Sequence, residues 1–102
     1  MALDLQQQRR EFPARSGGPQ VLPLIFTFPT TLLRAAVAIN GFEIEFTNDE
    51  HPVLKTTIDA AVITVTGGTM TVEVTFAIRD NSDTFDDPFK GYVDVLAIVD
   101  RA

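Results

Sequence analysis

Residues 61–78, AVITVTGGTMTVEVTFAI, alternate between apolar side chains and threonines on both sides of a glycine pair. Side chains on a strand point to opposite faces in turn, and a glycine pair between two alternating runs marks a hairpin turn. A two-residue turn at Gly67-Gly68 pairs Thr66 with Thr69, Val65 with Met70, Ile63 with Val72 and Ala61 with Val74. One face then carries Ala61, Ile63, Val65, Met70, Val72, Val74, Phe76 and Ile78. The other carries Thr64, Thr66, Thr69, Thr71, Glu73 and Thr75, a surface on which threonines hydrogen-bond across strands. A hairpin with one such apolar face must bury it against a second layer.

The rest of the chain from Val21 supplies that layer. Val, Ile, Thr and Phe dominate, and turn residues recur at short spacing. AAVAINGFEIEF (35–46) places Asn-Gly between alternating runs, the strongest short hairpin signal. A turn at Asn40-Gly41 sets Ala35, Val37, Ile39, Phe42, Ile44 and Phe46 on one face, with Glu43 and Glu45 on the other. The rival is one long strand bent at a glycine bulge. PQVLPLIFTFP (19–29) has proline at both ends and inside, which fits an edge strand. GYVDVLAIVD (91–100) is apolar on both faces apart from Asp94, as in strands covered on both sides.

Residues 1–20 differ in kind. Arg9, Arg10 and Arg15 outnumber Asp4 and Glu11 there, in a chain whose net charge is −6. LDLQQQRREF can form about two helical turns, a length marginal in isolation. Pro13 ends the segment and Ser16-Gly17-Gly18-Pro19 reads as a flexible joint. The expected organisation is an N-terminal arm (1–20) and a domain (21–102). The expected fold is all-β: a roughly six-stranded antiparallel β-sandwich.

Several functions are disfavoured. The negative charge opposes binding to nucleic acid or an anionic membrane, and no apolar run approaches the length of a membrane span. With no cysteine and one histidine, a zinc site is not expected. Ser16 and Ser82, the only serines, lie outside any nucleophile-elbow pattern, so an enzyme is not expected. MALDLQQQRREF has an early acid and no apolar stretch, which reads as a cytoplasmic start or export without a cleaved leader.

The candidate site is DNSDTFDDPFKG, residues 80–91. Asp80, Asp83, Asp86 and Asp87 are four of the fourteen acids and offer a calcium site that backbone carbonyls would complete. The helix–loop–helix calcium motif is absent, because Phe85 stands where glycine is required. Phe85 and Phe89 either cap the end of the core or stack on the apolar face of a sugar beside the carboxylates. His51, in the loop TNDEHPVLK, is either an exposed loop residue or a polar lip for sugar hydroxyls.

The order of features resembles the H-type lectin domain. Phe26, Phe28 and Pro29 form an early F-x-F-P segment, and an apolar region follows to Gly41-Phe42. The hairpin region Ala61–Ile78, an aromatic loop and the apolar strand Tyr92–Val99 complete it over residues 22–100. The resemblance implies a six-stranded sandwich, trimers or hexamers, and binding of a neutral glycan near subunit boundaries. Phe89 would serve as stacking ring and Arg79 as the nearest sugar-coordinating arginine. The family's usual tryptophan and histidine before the last strand are replaced by Asp87, Pro88, Phe89 and Lys90.

Two functions follow. One is an oligomeric lectin-like carbohydrate-binding module. The other is a structural self-assembling subunit of a fibre, capsid or surface assembly. Both require a homo-oligomer, because a small sandwich can bury only one of the last strand's two apolar faces. The acidic loop separates them: a lectin needs Phe89 and the loop's acids exposed and converging, whereas a structural subunit buries Phe89 or leaves the loop mobile.

Overall fold

The computed structural model describes residues 2–47, 53–80 and 87–102. It contains six strands: β1 (Ala2–Arg15), β2 (Gln20–Thr27), β3 (Leu32–Phe46), β4 (Val53–Thr66), β5 (Thr69–Asp80) and β6 (Phe89–Arg101). They form two three-stranded sheets in the orders β1-β6-β3 and β2-β5-β4, and every pairing is antiparallel. This is the expected all-β sandwich. No helix occurs among the described residues.

The central strands are β5 and β6. The inner face of β5 carries Met70, Val72, Val74 and Phe76, and that of β6 carries Phe89, Val93, Val95, Ala97 and Val99; none of these is more than 1% exposed. Their mutual burial is the main source of stability, at about 25 cal/mol per Å² of apolar surface removed from water. β2 is an edge strand, as its prolines require, and adds Leu24 and Phe26 to the core.

The β4–β5 turn lies at Gly67-Gly68 as expected, with Gly67 at φ +58. It also receives the β2–β3 connection: the amides of Phe28 and Leu32 donate to the carbonyls of Gly68 and Gly67 at 2.8 and 2.9 Å. A Cβ on Gly68 would stand 2.5 Å from the Phe28 carbonyl oxygen, so only glycine fits beside that backbone.

Three expectations are corrected. First, Asn40-Gly41 is not a hairpin turn. β3 runs through it as one strand along β6, with a register shift between Ile39 and Gly41. A bulge and a two-residue turn place the same six apolar residues on one face, so the apolar pattern fits both. The uninterrupted strand pairs with almost the whole length of β6, which a hairpin could not.

Second, the Gly67-Gly68 hairpin slips one residue beyond its first pairs. Thr66 pairs with Thr69 and Val65 with Met70 as expected. A bulge between Val62 and Thr64 then sets Val62, not Ile63, against Val72, and Ala60, not Ala61, against Val74. Ile58, Ala60 and Val62 therefore pack on the core, and Ile63 is exposed.

Third, the segment read as two helical turns is extended. Residues 2–15 form β1, which pairs with β6 from Ala2 to Phe12 and again at Arg15. The ladder along β6 satisfies the backbone groups that a short isolated helix would leave marginal.

Candidate functional site

Phe89 is fully enclosed. Its ring lies 5.8 Å from that of Phe76, on which Phe12 stacks from β1. A ring with no exposed surface is not a platform for a sugar, and Phe89 instead takes the core-capping role. Asp87 is half-buried just before β6. Asp83, Phe85, Asp86 and His51 lie outside the described residues, as does the side chain of Asp80. The calcium reading of Asp80, Asp83, Asp86 and Asp87 therefore has one described side chain. Among the described residues, no group of three acidic or histidine side chains is placed to hold a metal ion.

The structure assembles two other surfaces. The first is the outer face of the β1-β6-β3 sheet. Register places Leu5, Ile98 and Ala36 in one row across it, and Gln7, Leu96 and Ala38 in the next. Leu3 extends the apolar area beside Asp100 and Arg34. Leu3 is 74% and Leu5 52% exposed.

β1 is inverted relative to an ordinary sandwich strand. Its leucines point outward, and Asp4, Gln6, Gln8 and Arg10 stand opposite the buried Val99, Ala97, Val95 and Val93. The inward glutamines have a structural use. Gln6 and Gln8 donate their side-chain amides to the carbonyls of Thr27 and Ile25, each at 2.8 Å. These carbonyls belong to the edge strand β2, whose unpaired groups would otherwise invite strand addition.

A polar cluster bounds the apolar rows. The Arg9 guanidinium donates to both Asp94 carboxylate oxygens, at 2.9 and 3.2 Å, and lies 3.7 Å from the centre of the Tyr92 ring. The hydrogen bond to Asp94 raises the pKa of Arg9 above its ordinary value. Arg9 thus clamps β1 to β6 by a bidentate pair and a cation–π contact.

The second surface is a cleft of about 180 Å³ at one end of the outer face of the β2-β5-β4 sheet, lined by Pro19, Lys55, Thr57, Thr75, Ala77 and Arg79. Lys55 and Arg79 are direct cross-strand partners there. Among the described residues selected from the sequence, Arg79 lines this concavity. The other five wall residues carry no motif. The β4–β5 register, which the Ile63 bulge alters, brings Lys55, Thr57, Thr75, Ala77 and Arg79 together, and Pro19 joins them from the entry to β2.

Comparison of the chain with known protein families, with curated proteins and with solved structures finds no match. The class is therefore defined by the fold itself: a two-sheet antiparallel β-sandwich.

Proposed function

We propose that this chain is a structural self-assembling subunit, and that a second copy covers the outer face of the β1-β6-β3 sheet. The observation that carries this reading is the contiguous apolar surface of Leu3, Leu5, Leu96, Ile98, Ala36 and Ala38. Exposed apolar patches of this kind mark interaction surfaces on soluble proteins.

The face suits a copy of itself. Leucines line its β1 side and alanines its β3 side, on either flank of β6. A two-fold axis along the strands sets Leu5 of one copy over Ala36 of the other, and Ile98 over Ile98, which is the self-complementarity an isologous contact needs. Each end of the apolar area carries both charge signs: Arg34 with Asp100, and Arg9 with Asp94. The same axis sets Asp94 over Asp94 and Asp100 over Asp100; Arg9, paired with both Asp94 oxygens, offsets the first of these like-charge contacts, and Arg34 stands beside Asp100 at the second.

The area is also adequate. The molecule is 50 Å long. Three strands at about 4.8 Å spacing give the whole sheet face, its polar part included, roughly 700 Å² over that length, close to the ~800 Å² per partner of a stable interface, and the apolar rows make up one part of it.

The burial of Phe89 supports the structural reading over sugar binding at residues 80–90. A two-fold pair, rather than the trimer implied by the lectin resemblance, is the contact this face fits.

The test is substitution within the face. Leu5→Asp and Leu96→Asp each place a charge in the apolar rows, and a folded monomer is the expected product of both. Circular dichroism checks the fold and sedimentation the mass. Folded variants that sediment like the unaltered chain would overturn the proposal.

A further inference from the structure

We infer that the open edge of β4 pairs with β4 of a second copy, antiparallel, with Thr57 at the centre of the contact. β4 is an edge strand of the β2-β5-β4 sheet. The two edges of that sheet differ. β2 carries Pro23 and is bridged by Gln6 and Gln8. β4 holds no proline and is rich in Val, Ile and Thr, so its outward N–H and C=O groups form a template for strand addition. Its pairing with β5 is regular from Lys55 to Val62, between the irregularities at Val53/Lys55 and Val62/Thr64.

Charge selects the occupant and the register. Lys55, Thr57 and Asp59 alternate on the outer face of β4, opposite Arg79, Ala77 and Thr75 of β5. Lys55 and Asp59 are exposed, and neither joins a salt bridge among the described residues. A two-fold axis through Thr57, perpendicular to the sheet, sets Lys55 of each copy against Asp59 of the other. Thr57 then faces Thr57, and Thr56 faces Ile58. Opposite charges directly across a strand pair stabilise it, and paired threonines hydrogen-bond. An axis through Lys55 or Asp59 would set like charges together. One through Thr56 or Ile58 would leave both charges without an opposite partner. A lysine on an edge ordinarily discourages strand addition; here Asp59 of the incoming strand matches it.

The product is one continuous sheet in the order β2-β5-β4-β4-β5-β2. Residues 55–59 at ~3.4 Å each make a contact roughly 17 Å long and one sheet, ~10 Å, thick. That is a small part of the ~800 Å² per partner of a stable interface, so single chains pair through β4 only at high concentration. The edge belongs to the sheet opposite the proposed self-association face, so one chain can make both contacts. Where that face reading holds as well, face-to-face dimers link edge to edge into a longer assembly.

The experiment uses Leu96→Asp, which breaks the face contact, in amide spectra recorded from micromolar to millimolar concentration. The spectrum itself verifies the fold, and Leu5→Asp takes its place if that variant does not fold. Saturable, concentration-dependent shifts centred on residues 55–59 are expected. Lys55→Asp leaves an acid at both charged positions, and Asp59→Lys leaves a lysine at both. Added to this background, each is expected to weaken pairing about tenfold or more, and an equimolar mixture of the two to recover it. Recovery on mixing is particular to the Thr57 register, because a loss of stability in either variant would not be corrected by the other. Shifts at residues 55–59 that do not change with concentration, unaltered pairing in both folded variants, or no recovery on mixing would each overturn the proposal. The micromolar mass of Leu96→Asp reports on the face and the shifts at residues 55–59 on the edge, so either reading can fail alone.

Discussion

The ring of Phe12 lies flat on the ring of Phe76, with centroids 4.4 Å apart and planes 5° from parallel. Phe76 is in the centre of one sheet and Phe12 is near the end of β1 in the other, so this pair ties the N-terminal strand to the core. Phe12 is the one buried residue of β1. Phe12→Ala is expected to cost about 3–5 kcal/mol, as for other buried phenylalanines. Chemical denaturation measures it. A loss below about 1 kcal/mol, the size of an ordinary surface change, would mean that β1 is held by its ladder alone.

Gly41 and Gly91 separate the through-strand from the hairpin that the sequence favours. A Cβ on Gly41 meets only Asp94 Oδ2, at 3.6 Å, an ordinary contact. Gly41→Ala should therefore be neutral or stabilise by about 0.5–1 kcal/mol through reduced backbone entropy. Gly91 has φ +154, and a Cβ there would overlap the Glu43 carbonyl oxygen of β3. Gly91→Ala should cost several-fold more than an ordinary surface change, or prevent folding. Thermal melts of the two variants suffice. A marked loss in Gly41→Ala would restore the type I′ turn.

The two bulges show where sequence reading stops. Both hairpin and bulge satisfy the Ala35–Phe46 pattern, so the choice depends on whether β6 has a partner along its full length, a non-local fact. The Ile63 bulge leaves no signal at all, because Ile63 and Val62 are equally apolar. The sandwich was legible because Met70–Phe76 alternate and Val93–Val99 run apolar apart from Asp94. The place of β1 was not, since its inward side chains are Asp4, Gln6, Gln8 and Arg10. Alternation is visible only in Leu3-Asp4-Leu5, and residues 6–11 are polar throughout. The cleft at Arg79 depends on cross-strand register that no local pattern specifies.

Arg10 offers a test of the inverted strand. Its Nε is buried without a hydrogen-bond partner among the described residues. Replacing an unsatisfied buried polar group by an apolar one of similar length is neutral or favourable. Arg10→Met is expected to be neutral or to raise stability by about 1 kcal/mol, read as the midpoint of urea denaturation. A clear loss would assign Arg10 a contact that the inverted strand does not require.

The glutamine bridges to β2 protect an edge. The double variant Gln6→Ala, Gln8→Ala removes both and leaves the Ile25 and Thr27 carbonyls to water. The expected cost is modest, about 0.5–1.5 kcal/mol for each bond, together with faster aggregation on mild heating as the edge opens. Unchanged turbidity kinetics would show that the bridges do not guard the edge.

The mass of the unaltered chain in solution tests the central claim most directly. The chain is 11.2 kDa. Multi-angle light scattering across a micromolar concentration series is expected to give a mass that rises from one chain to two, or to an even multiple of it. A constant mass of one chain through the whole series would contradict self-assembly and leave the apolar face of Leu5, Leu96 and Ile98 to a different occupant.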